Sequence, residues 1–462
     1  MIGLGREAAA LAVVWLLGAL LRSVLGLGRP RPPLHYAQPF LDFAIGAALL
    51  STLWTFSGLL GFHVSPGLVL ATAGGLAIVA LVRRRVRRQT PTPDQTPSRC
   101  AGLWRATPML LVVGLALAGV ALRTYSEPMY WDGRFIWGFK ARALFADGTV
   151  SRDAFTNVAR YRTSALDHPL TIPALEAWVY QAQGGIDERR AKLVGVVYWL
   201  GIVAWVACFL RRRMAWHWAL LIALLPAVSE AVAYNAGGGA ADVPLAFHML
   251  AAGVLLSEWV ERGERQDGIM AALALGTSML VKPEGVVFAL GGLLAFLVAQ
   301  RVYRKQAARQ LAPQVLAIVL PVLPWSVLRL VWSIPSLQVA QAHLRSLTGL
   351  ASRAAAVLVT AGRQEVSWPT WDLTWPFIGL GLLAFLSSGR RPRSLALPWT
   401  LLAWQSAAYL VYYVLAPYDV HWILSASLER LLLHLVPLGT ALAGASLVQA
   451  GWGEPGESCS GG

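Results

Sequence analysis

Runs of about 20 mostly apolar residues, each long enough or nearly so to cross about 30 Å of hydrocarbon, recur along almost the whole chain and decide what it can fold into. They lie near 7–28, 38–60, 64–82, 108–123, 191–210, 214–232, 241–259, 269–281, 285–300, 312–332, 373–387, 395–415 and 431–449, about thirteen in all. A backbone that spans lipid must satisfy its own hydrogen bonds, and a chain of such runs does so as helices. The expected fold class is therefore all-α, a polytopic transmembrane helical bundle. Composition agrees: 56% of the residues are hydrophobic, 14% are charged and the mean hydropathy is +0.55, whereas soluble domains carry about 25% charged residues. The first run has no cleavage-site pattern and continues into Arg22, so a retained helix is expected there and not a signal peptide.

A net charge of +15 raises the question of nucleic acid. The cations, however, stand in short clusters between apolar runs: Arg29 with Arg31, Arg83 to Arg88, Arg211 to Arg213, Arg262 with Arg265, Arg301 to Arg309, and Arg390 to Arg393. Each cluster is two runs from the next, so all fall on one face, which the positive-inside rule makes cytoplasmic. No nucleic-acid partner is expected. Lysine appears only at Lys140, Lys192, Lys282 and Lys305, and the cysteines Cys100, Cys208 and Cys459 have no zinc-type spacing, so no disulfide, metal or cofactor is expected. The organisation read from these patterns is an N-terminal helical part at 1–88, a cytoplasmic linker rich in Thr and Pro at 89–107, a transmembrane core at 108–450 and a cytoplasmic tail at 451–462. The core includes a long outward loop, 124–190.

The outward segments hold the unusual residues. In the first, aromatic and basic residues alternate from Trp131 to Arg142 and return at Trp178 and Tyr180, a mix suited to interfacial helices at headgroup level. Asp132, set among Tyr130, Trp131, Arg134 and Lys140, is a candidate base, since an aromatic interface can raise a carboxylate's proton affinity. It can equally cap a helix starting at Gly133, or pair with Arg134. Asp167-His168-Pro169-Leu170 reads as a turn that opens a helix or as a polar contribution to a site. Gly237 to Gly239 permit close backbone approach, and the following Asp242 can cap the next run or point into a cavity. Only about 33 residues, Gly268 to Gln300, separate two basic clusters, and two full crossings need about 40. The turn Lys282-Pro283-Glu284 is thus expected to sink below the outer surface, where Lys282 faces a polar cavity or simply pairs with Glu284. His421, Glu429 and Arg430 precede the last run on the same face.

These motifs, in this order, resemble those of the GT-C superfamily of membrane glycosyltransferases, the protein O-mannosyltransferase and aminoarabinose transferase type. Asp132 matches the aspartate after the first core helix, and His168-Pro169-Leu170 a His-Pro-Pro-Leu stretch lacking its second proline. Ala241 to Phe247 resembles an Ala-Asp-Leu-Pro-Leu-Ala-Phe segment, and Ser278 to Gly285 a turn ending in Lys-Pro-Glu-Gly. The likeness covers about 105–300 well and the C-terminal part weakly. It implies transfer of a sugar from a polyprenyl-phosphate donor to a glycan, lipid or protein acceptor, at the outer face of a bacterial inner membrane. In that reading Asp132 is the catalytic base, and Arg134, Lys140, His168, Asp242, Lys282, Glu284, His421 and Arg430 bind donor phosphate or substrate. The aspartate-any-aspartate metal motif of some relatives is missing, as is the Asp-Glu pair that others carry at the Asp132 position, so no metal is implied. A transporter or flippase of lipid-linked sugars is the alternative, but it predicts internal repeats and midplane charges, which the sequence does not display.

Overall fold

The computed structural model describes residues 2–28, 30–87, 107–161, 164–303, 308–334, 347–389 and 391–452, and every described element is helical. The linker at 89–106, Arg29, Arg88, Lys305, Arg390, Cys100, Cys459 and the tail from 453 lie outside them. The N-terminal part is α1 (Ile2–Leu25), α2 (Gln38–Leu60) and α3 (Pro66–Arg87), with α1 held to α2 by a buried ion pair from Arg22 Nε to Asp42 Oδ1 at 2.7 Å. Next come α4 (Thr107–Ser126) and the loop helices α5 (Gly138–Asp147), α6 (Arg152–Thr156), α7 (Val158–Tyr161), α8 (Thr171–Gln183) and α9 (Glu188–Ala191). The core continues as α10 (Leu193–Arg211), α11 (Trp216–Val228), α12 (Glu230–Gly237), α13 (Asp242–Arg262), α14 (Arg265–Ser278), α15 (Glu284–Val298) and α16 (Ala312–Trp332). It ends with α17 (Leu347–Glu365), α18 (Trp368–Trp371), α19 (Thr374–Ser387), α20 (Arg393–Leu415) and α21 (Val420–Gln449).

Helices form at every place the apolar runs mark. Among the described residues nine are long and apolar enough to cross a membrane, or ten if α11 and α12 are one bent span. The remaining runs give α14 and α19, of 14 residues each, and α20, whose inward side carries Gln405, Tyr409 and Tyr413. The α11–α12 bend of 67° has a local cause. Pro226 removes a helical donor, and Ser229 leaves the helix with its hydroxyl donating back to the Pro226 carbonyl at 2.8 Å.

Contacts between the basic clusters gather them at one end of the bundle. Arg31 pairs with Glu264 at 2.9 Å, Arg212 pairs with Glu258 and Glu261, and Arg393 stacks over Tyr303 at 4.9 Å. The loop helices occupy the other end, and one of them, α8, is covered by its neighbours. Residues Thr171 to Tyr180 of α8 are all buried, because α1, α2 and α5 cover them. The indole of Trp178 donates to the Ala10 carbonyl at 2.9 Å and Gln181 to the Val64 carbonyl at 2.7 Å, so α8 is pinned against α1 and the start of α3.

That burial carries a cost at Glu176. Dehydration, reinforced by Glu188, pushes its carboxyl well above the usual carboxylate range despite Arg142 and Lys192. A carboxyl raised on folding contributes stability that is complete below its unfolded value, near 4.5, and is lost as pH rises towards the folded value. Glu176→Gln removes that loss. The variant is expected to melt about 1–3 °C above the wild type at pH 8, with the gap closing at pH 4, in a detergent melting series.

Candidate active site

The site begins with the sunken turn. At 1.5 Å per residue, α14 is about 21 Å long, well short of the hydrocarbon. The turn after it is roofed at Leu280 by α8, whose first amide, Thr171 N, donates to the Leu280 carbonyl at 3.3 Å. Gly285 is required here, since a Cβ on it would lie 2.2 Å from the Ser278 carbonyl oxygen. The turn therefore packs tightly enough to fix Lys282. Lys282 Nζ donates to Asp242 Oδ1 at 2.7 Å and lies 3.3 Å from Glu284 Oε1. The simple pair with Glu284 is thus present, but the closer partner is Asp242. Asp242 makes no cap bond at the start of α13 and is fully buried. The same oxygen accepts from His434 Nε2 at 3.0 Å, and His434 Nδ1 is 2.7 Å from the Tyr409 hydroxyl.

Asp132 approaches from the loop between α4 and α10. It stands at the head of a π turn, Gly133–Trp137, a form that is uncommon and frequent at functional sites. Glycine 133 meets the three-glycine segment so closely that a Cβ would lie 2.1 Å from the Gly238 carbonyl oxygen, while Tyr130 stacks on Tyr234 at 3.9 Å between ring centres. Backbone-to-backbone packing of that kind holds the turn against the bent α12. The Asp132 carboxylate caps nothing and does not pair with Arg134; it forms an ion pair with Arg430 of α21, 298 residues away. Arg430 sits ten residues into α21, about 15 Å from its start.

His168 forms a third wall. Its ring is buried, packs 5.4 Å from Trp137, and neither ring nitrogen has a hydrogen-bond partner among the described residues. Dehydration first, and then the charge of Lys140, pushes its pKa down to about 4, so at neutral pH the ring offers one donor and one acceptor. Lys140 is itself enclosed and donates to the carbonyls of Ala165 and His168 at 2.7 and 3.0 Å. Burial pushes its pKa down to about 7, against the opposing pull of Asp167. Lys140 therefore shapes the loop that presents His168 and does not reach the cavity.

Asp132, His168, Lys282, Glu284 and Arg430 line one cavity of about 370 Å³, with Asp242 directly behind Lys282. Arg134 and His421 are placed elsewhere. Both are exposed, Arg134 lying over the Phe135 ring at 6.0 Å, because the π turn aims Asp132 inwards and Arg134 outwards. His421 lies in the first turn of α21, where Asp419 caps the helix by accepting from Trp422 N at 2.9 Å, nine residues before Arg430. Sequence reasoning missed His434, Tyr409 and Gln405. A signal existed, since an ionisable residue such as His434 inside a spanning run is by default a functional candidate.

Chemically, both cavity cations are already opposed by carboxylates, and an entering anion would compete for them. A low-dielectric pocket makes such contacts stronger than in water.

The fold and the cavity together define a class: an all-α membrane protein whose bundle closes, at the end away from its basic clusters, around paired cations and carboxylates. Residues 167–325 match the family model described as dolichyl-phosphate-mannose-protein mannosyltransferase, which bears out the resemblance to GT-C membrane glycosyltransferases. That stretch includes His168, Asp242, Lys282 and Glu284. A solved structure of ArnT from Cupriavidus metallidurans bound to undecaprenyl phosphate is similar, with a TM-score of 0.48 and 16% identity, over 75% of this chain and 60% of that one. The present chain thus spans about 60% of the length of that protein. No curated protein matches.

Proposed function

We propose that this chain is an inverting glycosyltransferase that moves a sugar from a polyprenyl-phosphate donor to an acceptor hydroxyl on the outer face of the membrane. The observation that carries the reading is a cavity in which a carboxylate, Asp132, stands beside two cations, Lys282 and Arg430, at the end of the bundle opposite the basic clusters. Lys282 and Arg430 hold the donor phosphate. Once the phosphate takes Arg430, the Asp132 carboxylate loses its ion-pair partner and is free to face the acceptor hydroxyl. The acceptor oxygen then attacks the anomeric carbon from the face opposite the phosphate. As the new C–O bond forms, the bond from carbon to phosphate oxygen breaks, its electron pair leaves with the polyprenyl phosphate, and the hydroxyl proton passes to Asp132. A single displacement inverts the anomeric centre. The family match over 167–325, which takes in Lys282 but neither Asp132 nor Arg430, supports sugar transfer from a lipid-phosphate donor.

Radiolabelled polyprenyl-phosphate sugar offered to the purified protein in bacterial membrane lipids tests the reading. Label transferred to an acceptor with release of polyprenyl phosphate is expected; vectorial movement of intact donor lipid would make the protein a transporter instead. The orientation is tested separately in a background lacking Cys100, Cys208 and Cys459. A membrane-impermeant thiol reagent on intact cells is expected to label Asp419→Cys and Thr156→Cys and to spare Arg391→Cys. The reverse pattern would turn the site towards the cytoplasm.

A further inference from the structure

Beyond the phosphate-binding cations, the cavity has a wall made of hydrogen-bond acceptors. Gln405 and Tyr409 are one helical turn apart on α20, and both line the cavity beside Glu284. Gln405 is fully buried. Its Nε2 donates to the backbone carbonyl of Glu284 at 3.4 Å, which orients the amide and leaves Oε1 with no partner among the described residues. Glu284 Oε2 is likewise buried without a partner, Oε1 being the oxygen near Lys282. At Tyr409 the hydroxyl hydrogen is already committed. His434 gives its Nε2–H to the Asp242 carboxylate, so Nδ1 of the neutral ring is an acceptor and takes the Tyr409 proton. The tyrosine oxygen keeps its lone pairs, one of them within reach of the Gln405 side chain. Gln405 Oε1 and Glu284 Oε2 are thus buried acceptors without partners, with the Tyr409 oxygen beside them, and such acceptors are costly unless something supplies hydrogens.

Resting on the transfer reading above, we propose that Gln405, Glu284 and Tyr409 form the subsite for the donor's carbohydrate, binding neighbouring sugar hydroxyls as donors. Asp242 and His434 act as positioning residues, the first on Lys282 and the second on Tyr409. The division of the cavity follows from charge. The phosphate goes to Lys282 and Arg430, and an acceptor-only wall repels it. Trp137, on the side of His168, offers the flat apolar surface that ligand pockets set opposite a few convergent polar groups.

The test compares each lipid-linked sugar with the same lipid lacking sugar. Displacement of labelled decaprenyl phosphate is measured with unlabelled decaprenyl phosphate and with its mannose, glucose, galactose and arabinose conjugates. Wild type is expected to bind at least one conjugate about 10-fold or more tightly than the bare lipid. Gln405→Met and Tyr409→Phe, which keep the packing volume, are each expected to cut that gain about 3- to 10-fold, the scale of one lost hydrogen bond. Affinity for bare decaprenyl phosphate serves in both as the internal check on folding and on the phosphate site. A gain that is unchanged in Gln405→Met, or no gain from any conjugate in wild type, overturns the subsite while leaving the phosphate reading intact. Failure of bare decaprenyl phosphate to bind wild type overturns both.

Discussion

Asp132→Asn is expected to lower the rate of sugar transfer about 100- to 10,000-fold, the usual contribution of a positioned base, while donor binding is kept or improved. The asparagine preserves shape but cannot take the acceptor's proton. The ion pair with Arg430 gives the variant a second readout. In the unliganded site the carboxylate competes with phosphate for that guanidinium, so removing its charge frees Arg430 for the donor. A base and a mere anchor for Arg430 then part company. Loss of the base depresses turnover with the donor affinity intact, whereas loss of an anchor lets Arg430 drift and weakens the donor first. Both side chains are about a quarter exposed, so the pair adds little to stability and the variant is expected to fold. Transfer within about threefold of wild type would pass the base role to Glu284, the other carboxylate on the cavity wall.

What the sequence conveyed depended on whether a signal was local. The helical bundle was legible because the need to satisfy backbone groups in lipid acts run by run. The sunken turn was legible from length alone, since 33 residues cannot make two crossings, and Lys282 is accordingly enclosed. Pairings across the fold were not. Asp132 has Arg134 two residues away, but its partner is Arg430, and only the π turn packed on Gly238 decides which. Arg134 and His421 looked like site residues for their neighbours' sake and point away. Lys140 looked like a phosphate ligand, yet its ammonium is spent on two carbonyls of the loop that carries His168. Gln405, Tyr409 and His434 were hidden for the opposite reason: they sit in runs apolar enough to read as lipid-facing, and their inward direction is set by helix packing alone. The burial of α8 was hidden similarly, because aromatic and polar residues in a loop helix suit packing against α1 and α2 as well as a membrane surface.

Lys282→Met is expected to fail in two ways that can be separated. As a phosphate ligand, Lys282 contributes a charge-assisted hydrogen bond, and its loss is expected to weaken binding of a polyprenyl phosphate about 10- to 100-fold. As the partner of Asp242 it also neutralises a fully buried carboxylate, and removing one member of such a pair costs about 3–5 kcal/mol, because the other is stranded. The single variant is therefore expected to lose both thermal stability and donor affinity, which by itself decides nothing. Adding Asp242→Asn removes the stranded charge while keeping a hydrogen-bonding group for His434. The double variant is expected to recover most of the lost melting temperature in detergent and none of the donor affinity. Recovery of both together would reduce Lys282 to a structural counter-ion for Asp242 and leave Arg430 as the cation that holds the phosphate. Lys282→Arg sharpens the comparison: it keeps the charge but replaces a point donor by a planar fork, so stability should suffer less than in Lys282→Met, and any affinity it retains reports the charge at that position.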